Sequence, residues 1–369
     1  MAFDKKSLLL ASALLLSFSE VTQSQTETKD VAIDFAAYIG EDEFVCGESY
    51  DGVGVNESTI TPTDFRFYVS NLALIDENGE AVPVELEQDG KWQHESTALL
   101  DFEDGTSACD NGTAEINTTV VGTIPEGDYQ SLQFTLGVPE KLNHEDAAIA
   151  PSPLNLTSMW WNWQGGYKFL RVEMETDEPI ATVGDVNTND SEQSSVLVSE
   201  QSTQTSSEGR QQTTHQNSRQ ASIFKEGQGQ RSQTSSTQTT HQNGGHSTHS
   251  QTHSQASETH NNHENMGGNA YLIHLGSTGC SDSAQSSLFN CRNSNRAKIV
   301  LEDFNPDKDV VVADLAELLA QSNLTTNQAN TPNGCMSSPD DADCMPIMQN
   351  LSLSSNTTDE PEQRFFFVE

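Results

Sequence analysis

Between residues 31 and 180 apolar and polar positions alternate in short runs: VAIDFAAYIG, DFRFYVSNLALI, STALLDFE, AEINTTVVGTI and YQSLQFTLGV. A period of two sends successive side chains to opposite faces of an extended chain, so the pattern predicts strands with one face turned to a core. Gly, Pro, Asn or Asp bounds each run, and Asn78-Gly79 in DENGEAVPVEL is a hairpin signal between two strands. Helical spacing shows in VVADLAELLAQ, residues 311 to 321, with Asp314 near its start. The fold class expected is all-β, a sandwich or distorted barrel with long loops and few short helices.

Two stretches break the pattern. SLLLASALLLSF follows Lys5 and Lys6 and gives way to small polar residues through Ser24. Such a run is too short to span a bilayer and has the anatomy of a secretory signal peptide, so residues 1–24 are expected to be removed, with no cysteine there for a lipid anchor. From 185 to 265 the composition turns to Ser, Gln, Thr, His and Asn. That tract lacks the apolar area to offset its ordering entropy and reads as a disordered insertion. Residues 25–184 and 266–369 are then two parts of one β domain, and strands flanking the insertion should be spatial neighbours.

Charge and cysteine narrow the function. The 55 acidic residues against 17 basic give a net charge of -38. That charge opposes binding to nucleic acid or anionic lipid and favours cations. No later run is apolar enough for membrane insertion, so a periplasmic, extracellular or cell-surface location is expected. Six cysteines in an exported chain read as three disulfides, and sequence proximity suggests Cys280 with Cys291, Cys335 with Cys344, and Cys46 with Cys109. No CxxC pair argues for a thiolate metal site.

Seven of the ten histidines, His215, His241, His246, His249, His253, His260 and His263, lie in the polar tract and could gather Cu or Zn weakly. Three lie in ordered-looking segments. His94 stands two residues after Trp92, so on a strand imidazole and indole share a face. His144 is on a loop after a strand, and His274 ends a strand before a cysteine-tethered loop. SMWWNWQGGYKF concentrates Trp160, Trp161 and Trp163, which suit a core, a second oxidisable site, a redox route or a docking surface. The paired acids Glu103-Asp104 and Asp340-Asp341 lack the spacing of an EF-hand and read as solvated loop acids.

FRFYVSNLALIDENG, KWQ with ALLDFEDG, LGVPEKLNHED, APSPLNLTSMWWNWQGGYKFLR, IHLGSTGC, PNGCMSSPDDADC and QRFFF occur in that order. Together they resemble the MbnP-like family of exported copper-binding proteins, whose relatives include MopE and CorA. The resemblance covers residues 31 to 184 and 268 to 369, interrupted by the insertion.

The resemblance implies a copper site of two histidines and a kynurenine, made from tryptophan by a partner dihaem MauG-like peroxidase. The chemistry is coherent. An indole N–H only donates, whereas opening the ring exposes an aromatic amine that can coordinate. Nitrogen ligands with few charges suit Cu(I). By the Trp-x-His pattern of the MopE site, Trp92 is the leading kynurenine and His94 the first ligand. His144 and His274 stand level for the second, and serve as a pair if His94 is not a ligand. The expected function is copper scavenging, transport or storage by a binding protein rather than an enzyme. The alternatives are an extracellular copper-dependent redox enzyme and a structural or adhesive surface protein.

Overall fold

The computed structural model of the chain describes residues 27–110, 112–183, 268–282, 289–353 and 362–369. The segment 1–24 expected to be a signal peptide and the 185–265 tract with its seven histidines lie outside them. The described residues belong to one compact unit.

The alternating runs form two open sheets. One carries, in order, Phe366–Val368, Val310–Asp314, Thr28–Ile39, Thr119–Pro125 and Glu85–Leu86. The other runs Ala297–Leu301, Tyr129–Leu136, Ser58–Asp76, Leu170–Thr176, Ala270–Leu275 and Gly334–Cys335. Their apolar faces meet through phenylalanines: Phe35 lies edge-on to Phe67 and Phe134 at 6.2 and 5.8 Å, and Phe366 to the same two rings at 5.5 and 5.1 Å. Each such ring removed from water contributes about 1.5–3 kcal/mol. The result is a sandwich, with no closed barrel among the described residues.

Leu170–Thr176 pairs antiparallel with Ala270–Leu275, so the strands flanking the insertion are neighbours, as one interrupted domain requires. All three disulfides join the expected partners. Asn78-Gly79 turns the chain between Ser58–Asp76 and Ala81–Pro83, with Gly79 at a φ of +80°.

The helical reading of 311 to 321 is corrected. Only Leu315–Leu319 is helical, while Val310–Asp314 pairs parallel with Thr28–Ile39. Three β-branched valines suit the sheet, and Asp314 separates the elements by accepting a hydrogen bond from the Ala316 N–H at 2.8 Å.

The second sheet has an unusual outer face. Phe65, Phe67 and Val69 point into the sandwich, so Asp64, Arg66 and Tyr68 point out, yet all three are buried. A roof formed by residues 139–169 covers them: the Tyr68 hydroxyl donates to the Pro153 carbonyl at 3.0 Å, and the Tyr167 hydroxyl to the Leu154 carbonyl at 2.6 Å. His144 and the tryptophan hairpin belong to this roof.

Candidate metal site

Four strands place Asp101, Arg66, Arg171 and His274 in one row across the sheet, each directly opposite the next. Asp64 and Glu173 stand two residues away on the same face and pair with each other. Buried charges require partners, and these have them. Arg66 is ion-paired with Asp64 and lies 3.3 Å from Glu103, while Arg171 reaches Asp64 at 3.2 Å and Glu173 at 2.7 Å. Glu103 is fully buried, which corrects its reading as a solvated loop acid; Asp104 beside it is exposed. Asp341 is likewise buried while Asp340 is exposed.

His274 closes the row. Its Nε2 lies 2.7 Å from Oε1 of Glu173. Burial lowers the imidazole pKa to about 4, against the pull of the carboxylate. Burial alone would raise the Glu173 carboxyl, but hydrogen bonds from His274 and Arg171 outweigh it and hold the group far below its ordinary range. A neutral imidazole thus donates from Nε2 to an ionised carboxylate, and Nδ1 bears the ring's lone pair. Burial brings Lys168 nearby down to about 8, with Arg171 adding to the shift, and raises Asp101 to about 7.

His144 is oriented the same way by a different acceptor. Its Nδ1 lies 3.1 Å from the Trp163 carbonyl oxygen, which can only accept, so Nδ1 carries the proton and Nε2 the lone pair. The Asn143 amide donates to that Nε2 at 3.2 Å. Burial lowers the His144 pKa and Arg296 adds to the effect, favouring the neutral ring. Cys280 and Cys291 come within ligand range of His144, but their sulfurs are bonded to each other and supply no thiolate.

The tryptophans occupy three environments. Trp160–Asn162 and Gly166–Tyr167 form a hairpin, in which Gly166 adopts a φ of +78° and sits so close to Asn143 that a Cβ would fall 2.4 Å from its carbonyl oxygen. Asn143 also accepts a hydrogen bond from the Tyr167 N–H at 3.1 Å, locking the hairpin to the His144 loop. Trp160 packs against the core, and its indole N–H has no hydrogen-bond partner. Trp161 is half-buried with its six-membered ring against Gly276, where a Cβ would stand 2.5 Å from Cζ3. Trp163 is 54% exposed. Trp161 therefore belongs to the hairpin locked to the His144 loop and rests on Gly276, two residues after His274.

Trp92 and His94 sit elsewhere. Both are half-buried and flank Gln93, whose buried amide donates to the Glu87 and Val121 carbonyls at 2.7 and 2.8 Å. The strand here is only Gln93–His94, so Trp92 falls in the bend before it and strand alternation does not govern its ring. The Lys91 ammonium stands 4.6 Å from the Trp92 ring centroid. This segment meets the roof through a Lys141–Glu95 ion pair and a hydrogen bond from Ser152 to the Lys91 carbonyl at 2.7 Å. Among the described residues no hydrogen bond or ion pair links Trp92 or His94 to His144 or His274.

Glu173, Asn143 and the buried ion pairs escaped the sequence reading. Their signal is the charged residue at alternate positions within strands, in DFRF and LRVEM.

Two open sheets, three disulfides and a histidine-bearing roof over a buried charged row define a stapled β-sandwich. A model of the MbnP family matches residues 28–230. The chain belongs to the MbnP family. Among solved structures it is similar to MbnP from Methylosinus trichosporium, with a TM-score of 0.62 and 24% identity over 93% of this chain and 98% of that one. No curated protein matches it. No helix among the described residues is long and apolar enough to cross a membrane.

Proposed function

We propose that this protein is an exported copper carrier or store, periplasmic or at the cell surface, whose site is His144, His274 and a kynurenine made from Trp161. The observation that supports it most directly is the hydrogen bond from His144 Nδ1 to the Trp163 carbonyl. It ties one histidine to the hairpin whose Trp161 ring rests on Gly276, two residues beyond the other histidine. Both imidazoles have one nitrogen held by an acceptor, as metal-bound histidines do; the Nε2 lone pair of His144 accepts from the Asn143 amide, a contact that copper would displace.

Copper is cargo here, so the protein acts as a binding protein and not as an enzyme. The neutral nitrogen donors suit Cu(I). A dihaem MauG-like peroxidase is the expected modifying partner. Two equivalents of hydrogen peroxide, each reduced to water, add two oxygen atoms across the indole C2–C3 bond and cleave it to N-formylkynurenine. Water then releases the formyl carbon as formate and leaves the aromatic amine. The exposed Trp163, beside Trp161 and against His144, gives the oxidant a contact point on the surface.

Trp92 and His94 are the competing pair, although the Lys91 ammonium over the Trp92 ring opposes a cation there. Natively produced protein stripped of loose metal with a chelator discriminates between them. Copper retention is expected to be lost in His144→Gln and His274→Gln and kept in His94→Gln. The reverse pattern moves the site to the 92–94 segment.

A further inference from the structure

The short helix Cys344–Asn350 presents a feature that the histidine site does not use. Cys344, Ile347 and Asn350 face inward, and of the two methionines three residues apart, Met345 is exposed while Met348 is partly buried against the core. Met345 is 57% exposed, so its thioether is accessible. Both thioethers line one cavity of about 390 Å³, together with Asp341. Asp341 is 4% exposed, and its Oδ2 has no hydrogen-bond partner. Its other oxygen, Oδ1, accepts from the Asp343 N–H at 3.1 Å, and a buried carboxylate oxygen without a partner is costly unless a cation or donor meets it.

Position is fixed as well as composition. The Cys335–Cys344 disulfide anchors the first turn of the helix to the Gly334–Cys335 strand, one residue before Met345. Because Cys344 is oxidised, thiolate chemistry is closed and the available sulfurs are thioethers. Thioethers are soft, uncharged donors that select Cu(I) over hard divalent ions, and a single carboxylate balances a single positive charge.

We propose that Met345, Met348 and the buried carboxylate of Asp341 form a second metal site, one that takes a soft monovalent ion, Cu(I). It uses neither kynurenine nor histidine, so it is occupied in protein that has never met the peroxidase. That independence separates its failure from the failure of the first site.

The test is a titration of the full-length, unmodified protein, carrying 13C-methyl-labelled methionine, with Ag(I) as a redox-inert probe. The Met345 and Met348 methyl signals should shift together and saturate, while those of Met159 and Met174, buried in the core, remain still. In Met345→Leu, which conserves volume at an exposed position, the Met348 response should be lost while the core methyl signals stay in place. Asp341→Asn should weaken the response without moving the free-protein spectrum. Methyl signals of Met345 and Met348 that stay fixed while Ag(I) is taken up elsewhere overturn the proposal. So does a Met348 shift that survives Met345→Leu.

Discussion

His274 Nε2 and Glu173 Oε1 stand 2.7 Å apart on adjacent strands, a neutral imidazole donating to an ionised carboxylate inside a buried charged row. The pair fixes which nitrogen of His274 carries the proton. It also ties the orientation of a proposed ligand to the stability of the sandwich.

That pairing sets a pH window. In the metal-free, unmodified protein His274 has its pKa lowered from 6.5 to about 4, so the unfolded chain binds more protons than the native one between those values. Its contribution is complete above the unfolded value and is lost as pH falls from about 6.5 towards 4. Glu173, depressed by its partners, adds to the loss once pH falls below its ordinary range. Urea denaturation is expected to show stability falling steeply over this window in the wild type and less steeply in His274→Gln. Equal slopes would mean that His274 is not buried as a neutral ring.

Asp101 acts in the opposite direction. Its pKa is raised to about 7, chiefly by burial, so native protein holds a proton there that the unfolded chain releases, and its share of stability falls as pH rises through that range. Asp101→Asn should therefore gain relative to wild type at pH 8 and not at pH 4. This is checked by thermal midpoints at the two values.

Arg66 is the hub of the row, paired with Asp64 and close to Glu103, with Asp101 directly opposite. Arg66→Met leaves those carboxylates buried without their cation, a loss on the order of 3–5 kcal/mol. The urea midpoint should drop accordingly. A variant within about 0.5 kcal/mol of wild type, the range of ordinary surface changes, would show that the row is hydrated.

Glu173→Gln keeps the shape of the side chain and removes its charge. Copper affinity is expected to fall about 10–100-fold, as for other groups that orient a metal-bound histidine. Competition with a Cu(I) chelator measures it. An unchanged affinity would detach His274 from the site.

Much of the fold was legible because strand period and cysteine count are local or arithmetic signals. VAIDFAAYIG and YQSLQFTLGV became core strands, and three disulfides joined the expected cysteines. The segment 311 to 321 misled because VVAD and LAELL adjoin without punctuation, and only the partner strand Thr28–Ile39 decides where extension ends. Of the candidate site, only residue type and motif were legible. Residue type and motif pointed to His144 and His274, but their environments come from register across distant strands: Arg171 opposite both Arg66 and His274, and Trp161 folded onto Gly276. A Trp-x-His spacing carries no information about which side chains meet across distant strands.

The most direct measurement is peptide mass spectrometry with copper quantification on protein purified from its native source. The peptide spanning Trp160 to Trp163 should carry the mass gain of one indole carbon replaced by oxygen, placed by fragmentation at Trp161, with one tightly held copper. A gain on the Trp92 peptide, or tight copper with every tryptophan intact, would contradict the account.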